Sequence, residues 1–124
     1  MRFLGILLLL GVCSGALHAA DLISAEQLST KPAALLLDVR SPNEYAAGHI
    51  PGAHNISHEQ LAARLNELSA YQQQPVVVYC HSGARTRMAI SQLEAAGFSQ
   101  VLHLQGDFIE WRGAGRPVVM GDAP

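Results

Sequence analysis

Pro75-Val-Val-Val-Tyr-Cys-His-Ser-Gly-Ala-Arg85 runs from an apolar segment through a cysteine into a short loop, and a helical pattern follows. The β-branched residues Val76 to Val78, bounded by Pro75, read as a buried strand. From Thr86 to Ala96 the spacing predicts a helix presenting Met88, Ile90, Leu93 and Ala96, with Gly97 as its stop. A strand ending in Cys80, a glycine-containing turn with an arginine, and a helix start make an anion and sulfur site. Backbone N–H groups of the turn and of the helix N-terminus converge where the sulfur sits. They favour the thiolate, which makes Cys80 a candidate nucleophile. The competing reading is a buried, inert cysteine at a strand end. The turn, the helix start and Arg85 together favour the nucleophile.

Outward from this stretch, strands and helices alternate. Ser24-Ala-Glu-Gln27 is a capping box that starts a short helix near Ala25, after a Leu22-Ile23 stub. Leu35 to Val39 reads as a second buried strand. Ser41-Pro-Asn-Glu44 is another capping box with proline at the first helical position, and Gly48 ends that helix. A turn at Ile50 to Ala53 leads to an extended piece at His54 to Ile56. Ser57-His-Glu-Gln60 has the form of a third capping box, with Leu61, Leu65 and Leu68 on one helix face to about Ala70. Val101 to Leu104 is a further strand. Phe108, Ile109 and Trp111 mark a last short helix, and residues 113 to 117 a terminal loop. The alternation predicts an α/β domain: a mainly parallel sheet with helices on both faces. Ligands of such sheets gather beyond the carboxyl ends of the strands, where both Asp38 and Cys80 fall.

The chain's beginning has a different character. Met1-Arg2 is followed by an apolar run to Leu10, then by small residues to Ala20, with no charge between Arg2 and Asp21. This is the layout of a secretory signal peptide, residues 1–20, cleaved after Ala19 or Ala20. It implies a periplasmic protein whose single domain is residues 21–124. Leu10-Gly-Val-Cys13 approaches a lipidation motif, but Val12 stands where a small residue belongs. Cleavage after Ala20 leaves 104 of the 124 residues, enough to form one core without disulfides. Seven basic side chains then face ten acidic ones, a formal charge of −3. No basic run is present, which argues against nucleic acid. The single Lys31 argues against electrostatic attachment to a membrane. Cys80 is left without an intramolecular partner. In an oxidising compartment that means a reactive thiol, an intermolecular bridge or a buried inert thiol.

Three separated motifs, in order, resemble the rhodanese family. They are Leu37-Asp-Val-Arg40; Glu44-Tyr-Ala-Ala-Gly-His-Ile-Pro-Gly-Ala53 with Asn55-Ile56; and Cys80-His-Ser-Gly-Ala-Arg85. Gly106, Trp111 and Gly115-Arg-Pro117 resemble the family's C-terminal signature. The resemblance implies a rhodanese-like fold with a five-stranded parallel sheet, and a persulfide carried on Cys80. It implies a substrate cradle formed by His81, Ser82, Gly83, Ala84 and Arg85, supported by Asp38 and Arg40. Gly106-Asp107 departs from the two glycines that many members carry. His81-Ser82 departs from the basic residues frequent in enzymes that prefer thiosulfate, and Ser82-Gly83 is closer to the loop of mercaptopyruvate-using relatives.

The remaining polar residues sort by chemistry. Arg85 at a helix start is unfavourably placed for a cation unless it binds an anion or pins the loop. Asp38 and Arg40 are expected to hold the loop and each other. Glu44 is first a cap and second a partner for Arg40. His49, His54 and His58 do not share a helix face, and no known metal pattern includes them. The reading is an exported sulfurtransferase needing neither metal nor cofactor. It takes a sulfane sulfur from a small donor such as thiosulfate and passes it to cyanide or a thiol. A non-enzymatic persulfide carrier or redox-sensing module using Cys80 is the alternative of another class. A cysteine-dependent phosphatase or arsenate reductase ranks third. Those enzymes place five residues between cysteine and arginine, and here there are four.

Overall fold

A computed structural model of the chain describes residues 20–124; the leader and Cys13 lie outside the described residues. Five strands form one sheet: β1 Asp21–Ile23, β2 Leu35–Asp38, β3 His54–Asn55, β4 Val76–Tyr79 and β5 Val101–Leu104. Their order is β1-β5-β4-β2-β3, and every neighbouring pair is parallel. β4 is therefore central, and all four of its residues are buried. That burial on both faces is why the segment reads as an unbroken apolar run.

Successive side chains of β4 point to opposite faces and feed two cores. Val76, Val78 and Cys80 pack with Leu37, Leu61, Leu68, Ala89, Ile90 and Leu93 on one side. Val77 and Tyr79 pack with Leu28, Tyr45, Leu104, Phe108 and Trp111 on the other. The helices supplying these residues are α1 Ala25–Thr30, α2 Pro42–Ala47, α3 Leu61–Arg64, α4 Ala84–Ala95 and α5 Asp107–Gly113. Helices thus cover both faces of the sheet.

The capping boxes at Ser24 and Ser41 form as their sequences specify. The third does not. His58 and Ile56 donate their amides to the carbonyls of Val39 and Asp38, so the backbone there stays committed to the end of β2. Helix α3 starts only at Leu61, with no side-chain cap on Gln60, and passes after one turn into a 3-10 helix, Leu65–Tyr71. Two further expectations need correction. Helix α4 begins at Ala84, and it buries Thr86, Ala89, Ile90 and Leu93 while Met88 is 48% exposed. In α5, Phe108 and Trp111 are buried, but Ile109 is 51% exposed. Beyond α5 the chain turns back, and Val119 exchanges backbone hydrogen bonds with His49.

Candidate active site

Cys80 directly follows the central strand and is 1% exposed. The N–H of Gly83 donates to its Sγ at 3.0 Å. Gly83 has φ of 121°, a conformation that side chains rarely adopt, so the turn that aims this amide at the sulfur calls for glycine. Gly83 is also the N-cap of α4, and no side chain caps that helix. The orphan amides and positive end of a 12-residue helix therefore face the loop. The next helix braces the loop from outside. Phe108 N–H donates to Cys80 C=O and Ile109 N–H to His81 C=O, each at 3.0 Å.

Arg85 reaches from the first turn of α4 to Glu44 on α2. Its Nη1 lies 2.6 Å from Glu44 Oε1 and its Nη2 lies 3.0 Å from Oε2. Arg85, helped by Ser41, pulls the Glu44 carboxyl down to about 2. Glu44 therefore caps α2 as expected but partners Arg85 and not Arg40.

Arg40 instead pairs with Asp38 at 2.7 Å, and both are buried. Arg40 also donates to the carbonyl of Gly48 at 2.7 Å. Its guanidinium lies 4.1 Å from the centre of the Phe108 ring. The pair thus reaches the cysteine loop through Phe108, whose amide holds Cys80. His81 is exposed beside a shallow cavity of about 410 Å³ lined also by Arg40, Glu44, Phe108 and Arg112. A larger cavity, about 790 Å³, lies at the far end of the sheet around Pro75 and β1, away from Cys80.

The histidines of the second motif are divided. His49 is buried, with Nδ1 2.8 Å from Tyr45 C=O and Nε2 2.8 Å from Ala123 C=O, and it stacks on Tyr45. His54 lies in β3 beside β2. Among the described residues no three metal-ligating side chains cluster.

Asp107, which the sequence marks only as a departure from paired glycines, bonds the cysteine loop directly. Its Oδ1 accepts the Cys80 amide at 3.0 Å and the Thr86 hydroxyl at 2.9 Å. Its Oδ2 is 2.8 Å from His103 Nε2. The usable signal was an acidic residue opening a helix. Here that residue serves a neighbouring loop, and α5 itself has no side-chain cap.

Comparison with known proteins bears on this arrangement. The family model described as "Rhodanese-like domain" matches residues 21–114. The chain belongs to the rhodanese-like family. Among curated members, a sulfurtransferase of Allochromatium vinosum is 38% identical over 101 residues, covering 78% of this chain and 92% of that protein. The thiosulfate sulfurtransferase GlpE of Pseudoalteromonas translucida is 34% identical over 88 residues, covering 71% and 82%. An uncharacterised Bacillus subtilis protein, YqhL, is 41% identical over 80 residues, and the chain spans 62% of its length. Among solved structures, the Alr3790 protein of Anabaena superposes with a TM-score of 0.72 at 31% identity, covering 80% of this chain and 92% of that one. The five-stranded parallel sheet and the helices on its two faces are thus the rhodanese-like fold. In that fold Cys80 and its loop lie at the carboxyl end of the central strand, where an open α/β sheet binds its ligands.

Proposed function

We propose that this protein is a sulfurtransferase that moves a sulfane sulfur from a donor such as thiosulfate to a thiol or cyanide through a persulfide on Cys80. The observation that carries the reading is the Gly83 N–H pointing at Cys80 Sγ in a loop that opens α4. The Cys80 thiolate attacks the outer sulfur of thiosulfate. The new S–S bond forms on Sγ, the donor's S–S bond breaks, and its electron pair leaves with sulfite. The acceptor then attacks the outer sulfur of the persulfide, and the electron pair of the breaking bond returns to Sγ. The Gly83 amide, already in place, stabilises the negative charge on Sγ without reorganising. Arg85 supplies positive charge at the rim, its plane fixed by Glu44.

We further propose that residues 1–20 direct export and that the mature domain works in the periplasm. The charge-free apolar run and the small residues before Asp21 support this. Single-turnover mixing with thiosulfate, read by intact mass, tests the reaction. A covalent gain of one sulfur that cyanide removes is expected. No gain of mass in a folded, reduced protein overturns the reading.

A further inference from the structure

Among the described residues, Asp107 is the non-glycine residue with a positive φ, at 53°. Holding a side chain there costs of order 1 kcal/mol. The return is a carboxylate that bonds Cys80 N–H and Thr86 Oγ1 through one oxygen and His103 through the other. Cys80 begins the loop and Thr86 lies in the first turn of α4, so a single oxygen fastens both ends. Asp107 is 3% exposed. It is a buried negative charge bonded to the amide of the nucleophile's own residue.

The other charged groups around the loop are accounted for. On α4, Arg85 is engaged by Glu44 of α2. Arg87, also on α4, has its Nη1 3.1 Å from where a β-carbon on Gly83 would sit, with Asp107 Oδ2 at 3.2 Å and His103 Cε1 at 3.5 Å from the same point. At the end of β2, Asp38 and Arg40 satisfy each other. His103 comes from β5, Arg112 from α5, and His81 follows Cys80 in the chain. Asp107 is the carboxylate that bonds the Cys80 backbone directly.

We propose that Asp107 is a positioning residue for the Cys80 nucleophile: its carboxylate clamps the two ends of the loop and so holds Sγ where it attacks the donor sulfur. This rests on the reading of Cys80 as nucleophile. Fixing both ends of the loop fixes the direction in which Sγ and the Gly83 amide point, and a misplaced nucleophile loses rate steeply. Burial opposes ionisation of Asp107, but the hydrogen bonds from His103, the Cys80 amide and Thr86 outweigh it and hold the carboxyl below its ordinary range. The clamp is therefore a carboxylate that accepts through both oxygens.

The test uses methyl methanethiosulfonate, a small uncharged probe. The thiolate attacks its sulfenyl sulfur, the S–S bond breaks, and the electron pair leaves as methanesulfinate. Asp107→Asn keeps an acceptor for Cys80 and Thr86 and removes the charge. Its rate with the probe is expected to stay within about threefold of the native rate, because the clamp is kept. A loss as large as that of Asp107→Gly overturns the clamp. Asp107→Gly suits the backbone and removes the clamp as well. Its reaction with the probe and its persulfide formation from thiosulfate are each expected to be about tenfold slower than those of Asp107→Asn, the positioning that the two bonds to Cys80 and Thr86 supply. Equal rates overturn the clamp. Thermal unfolding of both variants establishes that they are folded. Native protein that gains no sulfur while Asp107→Gly still reacts more slowly with the probe than Asp107→Asn would fault the transfer reading and leave the role of Asp107 standing.

Discussion

Arg85 and Glu44 meet fork to fork across the mouth of the site, with N···O separations of 2.6 and 3.0 Å. The pair joins the first turn of α4, which carries the cysteine loop, to α2, which carries the second sequence motif. The pair locks the loop to α2, and the proposed function gives Arg85 a second task, offering positive charge to an anionic donor.

Replacing Arg85 by alanine removes a charge-assisted contact, about 1.5–3 kcal/mol, or roughly ten- to a hundredfold in the loading rate. It also leaves the Glu44 carboxylate unpaired, which repels an anionic donor. Loading from thiosulfate is therefore expected to suffer more than loading from an uncharged polysulfide. Arg85→Lys recovers only part, because lysine has no planar fork. The double variant Arg85→Ala with Glu44→Gln should load thiosulfate faster than Arg85→Ala alone. Rapid mixing with both donors checks this. Equal losses for the two donors mean that Arg85 shapes the loop and does not read the substrate.

The same pair gives a pH prediction. The Glu44 carboxyl is lowered from 4.5 to about 2, first by the hydrogen bond from Arg85. A depressed carboxyl contributes stability that is fully present above its unfolded value and is lost as pH falls through the folded one. The native protein's advantage over Glu44→Gln should therefore be constant above about pH 5 and disappear toward pH 2. Thermal unfolding across that range measures it. An advantage that declines between pH 6 and 8 contradicts the assignment.

Core packing gives a third prediction. Leu93 is fully buried against the face of the sheet that holds Cys80, whereas Met88 is 48% exposed. Leu93→Ala should cost about 2–5 kcal/mol in denaturant unfolding. Met88→Ala should stay within about 0.5 kcal/mol. Comparable costs would contradict the placement of α4.

Much of this architecture is readable from local sequence because local forces set it. The β-branched run before Cys80, bounded by Pro75, reads as a buried strand, and the glycine turn and helix start after it follow from their own residues. Ser24 and Ser41 cap their helices for the same reason. Ser57 carries the same signal, and tertiary bonding to the end of β2 overrides it. Asp107 was hidden for a related reason. Its partners Cys80 and Thr86 stand 27 and 21 residues away, and they meet it only because α5 docks against the cysteine loop. The Glu44–Arg85 pair spans 41 residues and depends equally on packing.

Export makes a separate prediction. The protein recovered from a fractionated bacterial host should begin at Ala20 or Asp21 and appear in the periplasmic fraction. Terminal sequencing checks this, and full-length protein in the cytosol contradicts it.

The central claim is that Cys80 carries the transferred sulfur. Intact-protein mass spectrometry after brief exposure to thiosulfate, and again after cyanide, tests it most directly. The native protein should gain the mass of one sulfur atom and then lose it, and Cys80→Ser should do neither. Turnover of thiosulfate by folded Cys80→Ser would contradict the account.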